Sequence, residues 1–126
     1  MKKSLRYLNN AKEILQKAPI EENRYTDVKY VQEVCGTAYL AILKAIDEYL
    51  LAKWINKKDL PKNVDAYRIV LQKHVSIHNG KLLKQFEDLY DELHIAGYYR
   101  GILHSIDVVK AVFKSAKYFI DKFKYL

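Results

Sequence analysis

Tyr39-Leu40-Ala41-Ile42-Leu43-Lys44-Ala45-Ile46-Asp47 decides the fold class of this chain. Its apolar residues recur at steps of three and four, the period of a helix rather than of a strand. Extended in both directions, the same spacing gives Val31, Cys35, Ala38, Ile42, Ala45, Tyr49 and Ala52 on one side and Tyr39, Leu43, Ile46 and Leu50 on another. A helix that is apolar on two sides is surrounded by others. The spacing therefore predicts a long central helix from about Asp27 to Asn56, capped by Thr26 or Asp27. The stretch also nearly recurs: Tyr99-Arg100-Gly101-Ile102-Leu103-His104-Ser105-Ile106-Asp107 repeats Tyr, Ile, Leu, Ile and Asp at the same offsets. On two helices, Thr37, Ala41 and Ala45 form a row of small residues, as do Gly97, Gly101 and Ser105. The expectation is close packing of helices 2 and 5, with helices 1–2 and 4–5 as two pseudo-equivalent hairpins.

Outward from this stretch, breakers divide the chain. Leu8, Ala11, Leu15 and Ala18 stripe a first helix from about Ser4, which Pro19 ends. Ile20 to Thr26 reads as a polar connection. Pro61 lies in the next linker, and Asn63 or Asp65 caps a third helix with Val64, Tyr67, Leu71, His74 and His78 on one face, closed by Gly80 in a left-handed conformation. Leu82, Phe86, Leu89 and Leu93 stripe helix 4, which ends near Glu92 or breaks at Gly97. Helix 5 follows to about Lys124, with Ile102, Ile106, Val109, Phe113, Ala116, Ile120 and Phe123 as its seam and Lys110, Lys114, Lys117, Asp121 and Lys124 on its wet face. No segment alternates with period two, so no strand is predicted. The fold expected over residues 1–126 is one all-α domain, a five-helix up-and-down bundle.

Half of the residues are apolar and 29% are charged, the balance of a globular chain. Eleven tyrosines offer apolar rings with polar tips, suited to core edges and interfaces. Cys35 is alone, so no internal disulfide forms, and its apolar context reads as packing. No apolar run follows Met1-Lys2-Lys3, and Ala38 to Leu43 is too short to span a bilayer, so a cytoplasmic protein with no membrane contact is expected. The formal charge of +7 concentrates at the N-terminus and on helix 5. It suits acidic partners, RNA included, although no reading element accompanies it.

Residues with chemical potential are sparse. His74 and His78, at i and i+4, share a helical face, the geometry of a metal pair, but no Glu follows His74 as in zinc proteases. Asp91 with His94, and His104 with Asp107, stand at i and i+3, with Glu33, Asp47 or Glu48 as further carboxylates. The second pair runs in the reverse order to a bundle metal site, so surface Asp–His hydrogen bonds are the expectation. No phosphate loop, cysteine-pair site or nucleophile elbow is present, and neither metal nor cofactor is expected. Within the near-repeat, Arg100 replaces Leu40 and His104 replaces Lys44. Tyr98, Arg100 and His104 are therefore the expected binding residues of a non-enzymatic interaction module that self-associates or takes a protein partner.

Tyr39 to Ala45, set in a long second helix, resembles the Tyr-rich core helix of HEPN domains, over about half of the chain. Many HEPN proteins are ribonucleases with an Arg, four to six spacers and a His, and related members bind nucleotidyltransferases. Arg68 and His74 fit that spacing, whereas Arg100 and His104 are one spacer short. Ile69 stands where such enzymes usually carry a polar residue. The resemblance implies, as the alternative to the module, a ribonuclease or toxin–antitoxin-associated RNA-binding protein with Arg68 and His74 as catalytic residues. Leu93-His94-Ile95-Ala96-Gly97-Tyr98-Tyr99-Arg100-Gly101 resembles a small bacterial helical-bundle family without an established function, and that resemblance covers most of the chain.

Overall fold

A computed structural model describes residues 2–53, 55–74 and 80–123. Five α-helices carry the architecture: α1 (Lys2–Gln16), α2 (Val28–Ala52), α3 (Val64–His74), α4 (Lys81–Leu89) and α5 (Ile106–Lys122). A two-stranded antiparallel ribbon, β1 (Ile20–Glu21) and β2 (Arg24–Tyr25), joins α1 to α2. A π-helical segment, Tyr90–Tyr99, continues α4.

The helix periodicity holds where it bears on the core. Leu8, Ala11, Leu15 and Ala18 are buried, as are Val31, Cys35, Ala38, Ile42 and Ala45. α2 packs against α1, α5 and the π segment, which makes it the central helix. Asp27 caps it by accepting from the Lys29 amide at 3.0 Å, and Asn63 Oδ1 caps α3 by accepting from the Ala66 amide at 2.8 Å. Gly80 takes the expected left-handed conformation (φ 75°) ahead of α4. The 75–79 stretch, with His78, lies outside the described residues.

Three expectations fail, all around the near-repeat. The connection after Pro19 contains a ribbon. Glu22 and Asn23 both have positive φ, 52° and 63°, the two-residue turn that matches strand twist. Two-residue strands are too short to leave a period-two pattern. Next, α4 stops neither near Glu92 nor at Gly97; its helical path loosens into i→i+5 bonding and runs to Tyr99. Finally, residues 100–105 are not helical, and α5 starts at Ile106 with Ser105 as its cap, accepting from Val108 N. There is thus no Gly97–Gly101–Ser105 row, no close approach of α2 and α5 along Ala41 and Ala45 through it, and no pair of equivalent hairpins.

The physical reason is visible in the contacts. Gly101 has φ 61°, the left-handed region, and breaks the helix. The segment after it is claimed by the ribbon: Tyr25 N donates to His104 O at 2.8 Å, Ile106 N donates to Asn23 O at 3.2 Å, and Arg24 bridges Ser105. Ile102, expected on the α5 seam, is half exposed, while Ile106 to Phe123 keep theirs. Close packing is instead made one turn earlier, by the π segment. A Cβ on Gly97 would stand 2.5 Å from Cys35 Sγ and 2.6 Å from Cys35 Cβ, so only glycine lets this segment lie against α2.

Candidate functional site

The π segment sets the geometry of the site. Along a continuous helical segment, residues four apart share a face. Tyr90, His94 and Tyr98 therefore form a ladder, with ring centroids 5.3 Å apart from Tyr90 to His94 and 5.8 Å from His94 to Tyr98, at interplanar angles of 28° and 14°. Tyr39, projecting from α2, joins it with its centroid 4.8 Å from His94 and 5.8 Å from Tyr90. The Arg68 guanidinium caps the far end, 5.2 Å from the Tyr90 centroid, a cation on a ring face.

Beside the ladder lies a groove of about 340 Å³. α2 gives its floor with Tyr39 and Leu43, the start of α3 and the linker before it give one wall, and Tyr90 and His94 give the other. Tyr67 also lines it, its hydroxyl donating to Asp47 Oδ1 at 2.8 Å. Burial, followed by this bond, pushes the Tyr67 phenol well above its ordinary range, and burial raises the Asp47 carboxyl despite the bond. Burial, with Tyr90 adding to it, pushes Tyr39 up to about 12, so its hydroxyl is a neutral donor at physiological pH. Cys35, fully buried, is likewise pushed up to about 12 by desolvation, the opposite of an activated thiolate.

The residues singled out in the sequence fall in separate places. Tyr98 is half exposed, lies over Gly36, stacks on His94 and accepts at its carbonyl from Gln32 Nε2 at 3.1 Å. Arg100 is exposed, and its amide closes the π segment by donating to Ile95 O at 2.8 Å. His104 is half-buried at the ribbon junction, beside a concavity of about 430 Å³ that also takes in Arg24, Ile102 and Val108. Arg68 is held by Glu87, Nε to Oε1 at 2.6 Å, and by Asp65, NH1 to Oδ1 at 2.7 Å. It sits in a carboxylate clamp, while the side chain of His74, its proposed ribonuclease partner, lies outside the described residues.

The expected Asp–His pairs are corrected as well. The neighbours of His94 are rings, and Asp107 accepts from Asn23 Nδ2 at 3.3 Å instead of from His104. Among the described residues, no group of three or more His, Cys, Asp or Glu is arranged to hold a metal, and no helix is long and apolar enough to cross a membrane.

The ladder and groove escaped the sequence reading, although Tyr90, His94 and Tyr98 at i, i+4 and i+8 carried a signal. Read as an α-helix broken near Gly97, those positions belong to different elements. The unbroken helical run through Gly97 to Tyr99 is what keeps them on one face.

The chain is similar in structure to a protein of unknown function from Dyadobacter fermentans, at 36% identity and a TM-score of 0.80, over 97% of this chain and 91% of that one. No curated protein matches it. The profile of the domain of unknown function DUF5618 matches residues 1–125, and the chain belongs to that family.

Proposed function

We propose that this domain is a non-enzymatic interaction module that self-associates, or docks on a protein partner, through the surface where the π segment ends against α2. The observation that carries the reading is the exposed apolar and aromatic side chains there: Tyr98 at 49%, Tyr99 at 76%, Ile102 at 50% and Leu40 at 47%. They lie where residues 98–102 run along α2. Tyr98 lies over Gly36, one turn from Leu40, and Gly101 sits against Val28 and Gln32, which holds Ile102 nearby. Large exposed apolar groups gathered in one area mark association surfaces. Tyr is favoured there because it gives large contact area at low entropic cost, and Arg100 supplies a cation at the rim.

Size-exclusion chromatography with light scattering tests the reading. The expected result is a mass that rises towards a dimer across the micromolar range. Tyr99→Glu with Ile102→Glu is expected to return a folded monomer, verified by an unchanged circular dichroism spectrum. A strict monomer at all concentrations, with no loss of any partner capture in the double variant, contradicts the proposal.

A further inference from the structure

We infer that α1 and α5 together form a docking face for a single-stranded polynucleotide, held through its phosphates without regard to base sequence. The placement of the positive charge in the chain, and the way the fold gathers it, carry the inference.

Residues 27–99 hold ten Lys and Arg against ten Asp and Glu. Residues 1–26 hold six against three, and residues 100–126 hold six against two, so the whole excess of +7 belongs to the two ends of the sequence. The fold brings those ends together. α1 and α5 both pack on α2 and touch one another. At one end of the pair, Arg24, reached from α1 through the ribbon, bridges Ser105, the cap of α5. At the other, the Ser4 amide donates to Glu48 Oε1 at 3.1 Å, and the Phe123 ring lies 5.6 Å from that of Tyr49. The start of α1 and the end of α5 thus meet the same end of α2, and the two helices run antiparallel as one surface.

On that surface, Lys110, Lys114 and Lys117 recur at i, i+4 and i+7, exposed and on one face of α5. At a rise of about 1.5 Å per residue they place one ammonium roughly every 5 Å along the axis. Phosphates follow one another at a similar scale, about 3.4 Å of axis per phosphate along one strand of a duplex. Lys117 is shared with Asp121 at 3.1 Å. Lys110 and Lys114 have no carboxylate partner among the described residues, nor do Lys3, Arg6 and Lys17, exposed on and just after α1. Cations gathered in this way attract a polyanion and release its counterions.

Two features favour a polynucleotide over a bilayer or an acidic polypeptide. The described exposed residues of α1 are Lys3, Arg6, Asn9, Asn10, Glu13 and Gln16, none of them apolar. A helix that lies on a membrane presents apolar groups to sink among the headgroups, whereas amides and lysines suit phosphate and sugar oxygens. Next to the lysine row, Tyr118 is 61% exposed, with Lys122 Nζ 4.7 Å from its ring centroid. An exposed ring beside cations is a platform on which an unpaired base stacks. Tyr118 and Lys114 also line a cleft towards α4, whose Asp88 and Glu92 repel phosphates and keep the strand's backbone off that edge. This face lies on different elements from the docking surface at Tyr98, Tyr99 and Ile102, so each reading stands or fails alone.

Fluorescence anisotropy with labelled oligo(U) and oligo(dT) tests the assignment. Binding is expected with Kd of about 1–100 µM near physiological salt, and a log–log salt slope of about −2 to −3, the signature of three or four neutralised phosphates. The tighter oligomer tells whether the natural strand is RNA or DNA. Lys110→Gln, Lys114→Gln and Lys117→Gln together are expected to weaken binding about tenfold or more and to flatten the slope by about 2. Removing the same charge from the central elements, with Lys58→Gln, Lys73→Gln and Lys81→Gln, is expected to change Kd by less than about twofold. Tyr118→Ala is expected to weaken binding about fivefold, and Tyr118→Phe to restore it. An unchanged circular dichroism spectrum verifies that each variant folds. No salt-dependent binding, an equal loss in the two triple variants, or tighter binding to polyglutamate or to phosphatidylserine vesicles than to either oligomer would overturn the inference.

Discussion

Two copies of nearly the same nine residues, Tyr39–Asp47 and Tyr99–Asp107, take different structures in one molecule. The first lies inside α2, with Ala41, Ile42, Ala45 and Ile46 fully buried. The second leaves the π segment, turns at Gly101, and runs as a strap beside the ribbon before α5 begins. The conformation follows from what each copy touches rather than from the residues they share. Ala41 carries the helix on, whereas its counterpart Gly101 sits at a left-handed φ of 61°. Ile42 and Ile46 are fully buried among the neighbouring helices, whereas residues 104–106 find open backbone groups on the ribbon. Propensity is a weak prior that tertiary context overrides.

The comparison breaks most easily at Gly97, which holds the π segment against α2 just before the strap. Gly97→Ala places a Cβ 2.6 Å from Cys35 Cβ and 3.1 Å from Glu92 O, and no side-chain rotation relieves either contact. A loss of about 2–3 kcal/mol in urea unfolding is expected, the upper range for overpacking. Cys35→Ala should recover little of it, because the Cβ contact remains.

The exchange between the copies sharpens the contrast. Gly101→Ala is expected to cost about 1–2 kcal/mol, from the left-handed backbone and a Cβ within 3.0 Å of Val28 Cγ2. Ala41→Gly, the reverse change at the matching position, is expected to cost about 1 kcal/mol, because there the backbone is helical. Were the second copy helical, Gly101→Ala would stabilise instead, so the sign of the change in urea midpoint decides.

A smaller effect belongs to Asp47, the last residue of the first copy. Tyr67→Phe removes its hydrogen bond and is expected to cost about 1 kcal/mol. The equivalent change around Asp107, Asn23→Ala, removes only an exposed 3.3 Å contact and should cost less in the same assay.

Alkali gives the mildest test. Cys35 and Tyr39 are each pushed up to about 12 in the folded chain by burial. Below their ordinary values, about 8.5 and 10, both are protonated folded or unfolded, and their contribution is fully present. Above those values the unfolded chain loses protons that the folded chain keeps, so stability falls with rising pH until the folded values are passed. The urea midpoint is expected to drop between about pH 9 and 12, and Cys35→Ala with Tyr39→Phe should flatten the slope.

Much of the fold was legible because it rests on long periodic stripes. Leu8 to Ala18, Val31 to Ala45 and Ile106 to Phe123 are buried as their spacing requires. The caps at Asp27 and Asn63 follow from side-chain chemistry alone. The failures gather at residues 90–105, where the outcome depends on partners distant in sequence: Cys35 against Gly97, Val28 and Gln32 against Gly101, and Asn23 and Tyr25 against residues 104–106. Local pattern does not encode such contacts. The groove was hidden for the same reason, since Tyr39, Val64 and His94 come from three elements and meet only in the folded chain.

The account rests most on the strap, and backbone NMR tests it directly. The expected result is non-helical ¹³Cα shifts across residues 100–105, left-handed values at Gly101, and a cross-peak linking the Tyr25 amide to the His104–Ser105 backbone. Helical shifts running unbroken from Tyr99 into α5, with no contact to Tyr25, would contradict it.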